Sequence, residues 1–458
     1  LIKRIRHGIE LPYELDGDSI NLSASLGITL YPLDNADADT LLRHADQAMY
    51  QAKLAGRRRH QFFDALHDQQ ISQQQNQFRA VQDALNAQQL VLHYQPKVNM
   101  RRGEIIGVEA LVRWQHPELG LIAPGRFLPA IQGSELEIHV GNWVLEHAVQ
   151  QLEAWLTTGL KMEISVNISS HHLQWDGFFE QLDRILARHP RVPSSLLQLE
   201  ILESSVLGDI NNISSIINTC RNALGLRISL DDFGTGYSSL THLRHLPVDV
   251  VKIDQSFVRD LIDDPNDFTI IDGVISLTEA FHHQVIAEGV ETVEHGLMLM
   301  SMGCDRAQGY IIAHPMPASQ CQQWFADYRP NPAWLAHARC QLTPEQTIVH
   351  LMRLQGRHWL DQVVSNLESS PDKIHHWPLM NHKKSHFMHW IEQARKQGLF
   401  NKNWLENVKV AHIELYHEAN SLRYQFQEGH PDIIDSGTHR LIDRFKLIEA
   451  LLHEFDQR

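Results

Sequence analysis

Six polar side chains that could bind cations or move protons stand at or near the ends of separate apolar runs in the middle of the chain. They are Glu109, Asn167, Glu200, Asp231, Lys252 and Glu288. A seventh, Asp232, directly follows Asp231. Carboxylate and amide oxygens suit hard cations such as Mg²⁺ or Mn²⁺, whereas zinc prefers imidazole and thiolate. The set therefore predicts an oxygen-lined centre for divalent cations.

The adjacent aspartates are the most specific part of this set. On its own, an Asp-Asp pair followed by Gly234 and Gly236 is better explained as a polar turn that closes a strand. Beside the other carboxylates, one aspartate can bridge two cations while the other binds only the second. Two cations about 3.5–4 Å apart are the usual means of stabilising the attacking and leaving oxygens of a phosphodiester.

The remaining polar residues suit the other steps of such a hydrolysis. Lys252 supplies a fixed positive charge or orients a hydroxide, and Glu288, which is not needed as a ligand, is free to take a proton from the attacking water. Arg113 can bind a phosphate oxygen through two hydrogen bonds.

The elements that must position these residues lie between about residues 90 and 318, where short apolar runs alternate with helical stretches. This alternation favours a parallel sheet, either doubly wound or closed into a barrel. In a (β/α)8 barrel the carboxyl ends of the strands meet at one face, where the active site is built. A polar residue at nearly every strand end is the pattern that such a barrel needs.

The flanking segments differ in composition from the barrel. Residues 1–64 have the pattern of the end of an α/β unit, and the Gln-rich segment 65–89 indicates a connecting helix. The barrel is expected over residues 90–328. Residues 340–458 carry amphipathic helical patterns that predict an all-α four-helix bundle.

Bulk composition limits the partners. The net charge of −15 argues against binding of DNA, RNA or an anionic membrane surface. The 4 cysteines form no disulfide pattern, which fits a cytoplasmic location. No apolar run is long enough to span a membrane. Because the chain begins with Leu1, we expect it to be a piece of a longer protein, so upstream sensor or membrane segments are left open.

Seven motifs in the barrel segment together resemble one family. They are EALVRW (109–114), SVNIS (165–169), LEILE (199–203), DDFGTG (231–236), VKID (251–254), AEGVE (287–291) and QGY (308–310). In order and spacing they resemble the EAL-domain cyclic-di-GMP phosphodiesterases, over roughly residues 75–325. The resemblance implies a TIM-like barrel that uses two Mg²⁺ or Mn²⁺ ions to open cyclic di-GMP into linear pGpG.

The resemblance also implies roles for individual residues. The implied metal ligands are Glu109, Asn167, Glu200, Asp231 and Asp232. The implied catalytic residues are Glu109, Lys252, which positions the attacking water, and Glu288, the general base. The implied substrate contacts are Gln95, Arg113 and Gln308. The implied supporting residues are Glu291, Asp254 and Glu203, which anchors the loop that begins at Asp231.

The flanks resemble two other families. Residues 1–64 are similar to the end of a GGDEF (diguanylate cyclase) domain without its signature motif, so this fragment is not expected to make cyclic di-GMP. The C-terminal helices are similar to the chemoreceptor zinc-binding family, but Ser385 stands in place of the family's cysteine. The candidate zinc ligands there are His358, His382, His386, His412 and His417, and a metal-free bundle is the alternative.

Three interpretations of function remain after these comparisons of motifs. The first is an active phosphodiesterase, and the second is a catalytically silent receptor for cyclic di-GMP that passes a signal through the helical domain. The complete set of ligand residues favours the enzyme. In the third, the C-terminal bundle is a metal or redox sensor that controls the barrel. A homodimer is expected through the EAL domain, with the bundle as a second candidate contact.

Overall fold

The computed structural model describes residues 1–15, 18–56, 58–206, 210–234, 243, 246–369, 374, 376–428 and 431–456. Most of the loop that follows the aspartate pair (235–242) therefore lies outside the described residues. Two compact units are present, one formed by residues 1–89 and 125–132 and the other by residues 90–124 and 133–458.

The first unit is a small α/β assembly. Its strands are β1 (Tyr13–Leu15), β2 (Asp18–Ile20), β3 (Leu26–Ile28) and β4 (His60–Phe62), and its helices are α1 (Ile2–Ile9), α2 (Ala38–Leu54) and α3 (Ala65–Asn86). Strands β1 and β2 pair antiparallel, and β3 and β4 pair in parallel. Helix α2 packs so closely on β3 that a Cβ at Gly27 would lie 1.8 Å from the carbonyl oxygen of Ala45.

Eight strands of the second unit close into a barrel. They are β5 (Leu90–Asn99), β6 (Glu104–His116), β8 (Ile164–Ile168), β9 (Leu197–Leu202), β10 (Arg227–Phe233), β11 (Val250–Ile253), β12 (Gln284–Ala287) and β13 (Arg306–Gln308). Two short strands add to the sheet. Strand β7 (Gly120–Ile122) pairs antiparallel with β6, and β14 (Met316–Pro317) pairs antiparallel with β5. The predicted TIM-like barrel is confirmed.

One strand of the barrel departs from an all-parallel arrangement. Strand β5 runs antiparallel to both of its neighbours, β6 and β13, whereas the other barrel strands pair in parallel. The reason is the connection from β5 to β6, a tight turn in which Gly103 has a φ of 68°. A turn this short cannot make the crossover that parallel strands require.

Helices surround the barrel and continue beyond it. The described helices of the barrel segment are α4 (Glu135–Thr157), α5 (Ser170–Leu173), α6 (Phe178–Arg188), α7 (Ile210–Leu224), α8 (Gln255–Asp260), α9 (Pro265–Ala280), α10 (Val293–Ser301) and α11 (Ala318–Asp327). After α12 (Pro332–Arg339) come four C-terminal helices, α13 (Pro344–Glu368), α14 (His386–Gln397), α15 (Lys402–Gln427) and α16 (Pro431–Asp456). None of the helices in the described part of the chain is long and apolar enough to cross a membrane.

The C-terminal helices pack on the α8–α9 side of the barrel. The ring of Phe268 in α9 lies edge-on to the rings of His386 and Trp390 in α14, with centroids 5.6 and 5.4 Å apart. At the edge of this apolar contact, His358 Nε2 of α13 lies 3.3 Å from Asp263 Oδ1. The barrel and the helices therefore share a buried aromatic contact with an ion pair at its rim.

The ion pair at this rim predicts a pH dependence of stability. The hydrogen bond to Asp263 raises the pKa of His358. Burial raises the pKa of Asp263, but the hydrogen bond and the charge of His358 outweigh burial, so the pKa of Asp263 is lowered. The pair should therefore stabilise the protein fully between pH 3.8 and 6.5, the two unperturbed pKa values, and lose its contribution as the pH rises through the raised pKa of His358.

We expect His358→Gln to lower the melting temperature at pH 5.5 and to have little effect at pH 8.5. Because the Asp263 side chain is 47% exposed, the contribution should not exceed ~1 kcal/mol. Thermal unfolding at both pH values, with the exposed His376→Gln as control, measures it. An effect of His358→Gln that is equal at both pH values would show that the charge of His358 does not matter.

Candidate active site

The ammonium group of Lys252 lies at the centre of the carboxylates at the end of the barrel. Its Nζ is 2.8 Å from Glu200 Oε2, 3.0 Å from Asp231 Oδ1 and 3.5 Å from Glu109 Oε2, and it also contacts Glu288. The residue is 1% exposed. Although burial alone would lower the pKa of Lys252, these carboxylates raise it well above its ordinary value. Lys252 is therefore a permanent cation held by four acidic side chains.

The carboxylates are too crowded for one lysine to neutralise. Burial, with the neighbouring carboxylates, raises the pKa values of Glu109, Asp231 and Glu288. Glu200 differs, because Lys252 and Lys97 outweigh burial and lower its pKa. Raised pKa values at buried carboxylates mean that their ionised forms lack sufficient positive charge nearby. Bound cations would supply that charge.

Asp231 and Asp232 reach the same site because the backbone of β10 is irregular there. In a regular strand their side chains would point to opposite faces. Asp232 instead has a left-handed φ of 53°, and the pairing of β10 with β11 shifts register between Leu230 and Phe233. As a result, Asp231, Asp232 and Glu288 each offer an oxygen within 4.8 Å of the others, and no other such group of three acidic, histidine or cysteine side chains occurs among the described residues.

Burial next to Asp231 raises the pKa of Asp232 to about 7. This trio fits divalent cations, since all its donors are carboxylate oxygens and since their mutual repulsion would be relieved by an ion.

Two predicted supporting residues hold this irregular backbone. Glu203 is buried, and its Oε2 accepts a hydrogen bond of 3.0 Å from the backbone N–H of Gly234, just after the aspartate pair. Asp254 caps α8 by accepting from Ser256 N at 2.8 Å, and its carboxyl group is hydrogen-bonded to that of Asp232. Both residues therefore constrain the segment that carries the two aspartates.

A chain of amides holds Glu109 from the other side. Asn167 Nδ2 donates to Glu109 Oε1 at 2.6 Å, and Gln308 Nε2 donates to Glu109 Oε2 at 2.7 Å and to Gln95 Oε1 at 2.9 Å. Gln95 in turn donates to the carbonyl of Ala313 at 3.1 Å. The structure thus brings both predicted glutamine contacts into the wall of the site.

The last two predicted barrel residues are Arg113 and Glu291. Arg113 is half-buried near the end of β6 and donates to the carbonyl of Val112 at 2.9 Å, and burial lowers the pKa of Arg113. Glu291 is exposed in the turn before α10.

The five candidate zinc ligands do not meet at one point. His358 pairs with Asp263, and His386 packs on Phe268. The rings of His382 and His417 are 6.0 Å apart. His412 is buried, and its Nε2 lies 2.8 Å from Ser385 Oγ, the residue that stands in place of the family's cysteine. Burial lowers the pKa of His412 to about 3, so that its ring is neutral.

Sequence reasoning missed a second set of buried polar residues inside the barrel. Lys97, Ser165 and Gln198 are almost fully buried and contact one another. The signal that could have found them is alternation: each stands two residues from a predicted site residue on its own strand, and such residues share a face.

Comparison with known proteins agrees with this geometry. The family model described as "EAL domain" matches residues 78–315, and the model described as "Diguanylate cyclase, GGDEF domain" matches residues 1–59. The bifunctional diguanylate cyclase/cyclic di-GMP phosphodiesterase MucR of Pseudomonas aeruginosa is 40% identical over 70% of this chain and 46% of the relative. The cyclic di-GMP phosphodiesterase PdeR of Escherichia coli is 36% identical over 72% of this chain and 49% of the relative. The chain spans about half the length of these curated relatives.

Two solved structures resemble this chain over part of its length. One is the PaMucR phosphodiesterase in complex with c-di-GMP, which is 40% identical, has a TM-score of 0.52 and aligns over 54% of this chain and 99% of its own. The other is the EAL enzyme Bd1971 bound to cAMP and cyclic di-GMP, which is 27% identical, has a TM-score of 0.54 and aligns over 64% and 77% of the two chains.

The strand ends that carry Glu288 and Gln308 are locked together at Gly309, and this predicts a strict requirement for glycine. Val290 N donates to the Gln308 carbonyl at 3.0 Å, and Ile311 N donates to the Val290 carbonyl at 3.2 Å. A Cβ at Gly309 would lie 2.1 Å from the Val290 carbonyl oxygen, so the two segments would have to separate.

We expect Gly309→Ala to lower the free energy of unfolding by ~1–3 kcal/mol. The matched control is Gly273→Ala on the exposed face of α9, where a Cβ meets nothing within 4 Å and should be neutral or stabilising. Urea or thermal unfolding compares the two. Equal stability of both variants would contradict the close packing at Gly309.

Proposed function

The chain belongs to the EAL-domain family, and from this premise we propose that its barrel hydrolyses cyclic di-GMP to linear pGpG. The observation that carries the proposal is the crowding of Asp231, Asp232 and Glu288, whose oxygens lie within 4.8 Å of one another beside a buried lysine. A receptor that only bound the nucleotide would not need so many carboxylates in one place.

The proposed cofactors are two Mg²⁺ or Mn²⁺ ions. The proposed ligands are Glu109, Asn167, Glu200, Asp231 and Asp232. When bound, such ions stabilise the attacking and leaving oxygens of a phosphodiester. Asn167 contacts Glu109, and Lys252 contacts Glu200 and Asp231, so the protein's own hydrogen bonds and ion pairs link these proposed ligands.

The protein's own groups provide the remaining steps of the proposed reaction. Glu288 takes up the proton of the attacking water, and burial, which raises its pKa, makes its carboxylate a stronger base. Lys252, in contact with Glu288, holds that carboxylate in place. Gln95, Gln308 and Arg113 are the proposed contacts to the nucleotide, and Glu291 is a proposed supporting residue.

Other parts of the proposal concern the whole protein. The GGDEF fragment is proposed to be inactive in this chain, and the barrel is proposed to dimerise. The four cysteines are free thiols, in keeping with the proposed cytoplasmic location. Zinc in the C-terminal bundle stays a prediction, as does the resemblance to the chemoreceptor zinc-binding family. The contact between Ser385 and His412 supports the metal-free alternative.

We expect the purified chain to convert cyclic di-GMP to pGpG with Mg²⁺ or Mn²⁺ and to stop when EDTA is added. Asp231→Asn should lower turnover on the order of 100-fold or more, because weaker cation binding forfeits several kcal/mol of transition-state stabilisation. Chromatography of the nucleotide products measures both effects. The exposed Asp183→Asn in α6 is the control. Binding of cyclic di-GMP without any product would favour the silent receptor.

Glu288→Gln should separate catalysis from binding. Loss of a general base lowers turnover about 10²–10⁴-fold, while the amide keeps the size of the side chain. We therefore expect a large fall in kcat and a dissociation constant for cyclic di-GMP within a few-fold of that of the wild type. Glu294→Gln, an exposed change in α10, controls for the loss of one negative charge nearby. Wild-type turnover in Glu288→Gln would remove Glu288 from the mechanism.

A further inference from the structure

A second layer of polar side chains lies directly below the proposed cation ligands. The layer consists of Lys97, Ser165, Gln198 and Ser229, all no more than 2% exposed. The interior of a TIM barrel is usually filled at this level by bulky branched apolar residues. Each member stands two residues from a site residue on its own strand, so it projects from the same face one step deeper. We call these four residues the lower polar layer.

Lys97 is the only charged member of the lower polar layer, and it organises the others. Its Nζ contacts Ser165 Oγ and lies 3.3 Å from Gln198 Oε1, while Ser165 Oγ donates to Gln198 Oε1 at 2.7 Å. The same Nζ lies 3.6 Å from Glu200 Oε1 and 3.8 Å from Glu163 Oε1. A buried ammonium requires such acidic partners, because desolvation is otherwise too costly.

The two acidic partners of Lys97 are not equivalent. Glu163 is already neutralised by Arg227, whose Nη1 lies 2.6 Å from Glu163 Oε2. Glu200 is 1% exposed, and its Oε1 accepts no hydrogen bond from the residues that the structure describes. Lys97 Nζ, 3.6 Å from Oε1, is thus an ionic partner of that oxygen. The other carboxylate oxygen of Glu200, Oε2, accepts a hydrogen bond of 2.8 Å from Lys252 Nζ.

We propose that Lys97 is a positioning residue for cation binding, which holds the Glu200 carboxylate from below against the pull of Lys252. A carboxylate between two ammonium groups has a defined orientation, whereas one held by Lys252 alone would turn towards that lysine. This proposal rests on the proposed two-cation function, since Glu200 is one of the proposed ligands. It assigns a role to a residue outside the ligand set.

The direction in which cation affinity changes when Lys97 is replaced separates the proposal from a simple charge effect. A positive charge near a cation site repels the cation, so a purely electrostatic Lys97 would weaken binding, and its removal would strengthen binding. A positioning residue has the opposite effect, because its removal leaves a ligand misoriented. Loss of partners that orient metal ligands typically costs 10–100-fold in affinity.

The test is equilibrium binding of Mn²⁺ to the whole chain, measured by the electron paramagnetic resonance signal of the free ion. Lys97→Met removes the charge and keeps the length of the side chain. We expect its Mn²⁺ dissociation constant to rise about tenfold or more, with kcat for cyclic di-GMP falling more than KM changes. An unchanged or lower dissociation constant would overturn the proposal.

Two further variants keep the test decisive. Glu163→Gln removes the other acidic partner of Lys97 and should leave Mn²⁺ affinity within about twofold, whereas an equal loss in Glu163→Gln would mean that Lys97 acts only through the fold. The double variant Lys97→Met/Glu163→Gln removes the charge of Glu163 together with that of Lys97, so only Glu200 loses an ionic partner if Lys97→Met alone is unstable. It should still bind Mn²⁺ weakly, and wild-type affinity in it would overturn the proposal.

The two proposals fail separately. A wild-type chain that binds Mn²⁺ but does not open cyclic di-GMP refutes the proposed function, and the comparison with Lys97→Met still decides the role of Lys97. A wild-type chain with no saturable Mn²⁺ binding overturns both.

Discussion

The contact of the Lys252 ammonium with four carboxylates is the interaction on which the rest of the site depends. Lys252 projects from β11 into a cluster of acidic side chains, which are Glu109 of β6, Glu200 of β9, Asp231 of β10 and Glu288 just after β12. Without it, buried like charges would repel one another and take up protons. With it, they stay together but remain under-neutralised, which is the electrostatic condition of a site that binds divalent cations.

This cluster also sets what the backbone must do. Two neighbouring residues of a strand cannot both face the barrel end, so the chain breaks the strand at Asp232 with a left-handed φ and a shift in register. Such a conformation has a cost, and it persists only where its surroundings hold it. The hydrogen bond from Gly234 N to Glu203, and that between the Asp254 and Asp232 carboxyl groups, provide this support.

The segment that starts at Asp254 also links the site to the C-terminal helices. It continues through α8 to Asp263 and Phe268, which contact His358, His386 and Trp390. The start of this segment therefore contacts the candidate site at Asp232, and its end contacts the C-terminal helices. The contacts at its end do not follow from a motif, since His358, His386 and Trp390 are far from Asp263 and Phe268 in the chain.

The sequence by itself predicted the barrel, which the structure confirms, and the residues of its candidate site. Alternating apolar runs and helices favour a parallel sheet, and a polar residue at nearly every strand end favours the barrel because its parallel strands bring those ends to one face. The same reasoning could not predict the antiparallel β5, which depends on the length of a turn, nor how the aspartate pair is oriented, which depends on one φ angle.

Only the tertiary structure showed which polar residues share a partner. Lys97 appears in the sequence as one lysine in a strand, and Ser385 as a departure from a family pattern. In the fold, Lys97 lies below Glu200, and Ser385 lies against His412. Strand and helix patterns are local in sequence, whereas the partner of a buried charge or hydroxyl is set by which strands and helices pack together. For that reason the type of chemistry could be predicted from the chain, but the groups that hold its parts in position could not.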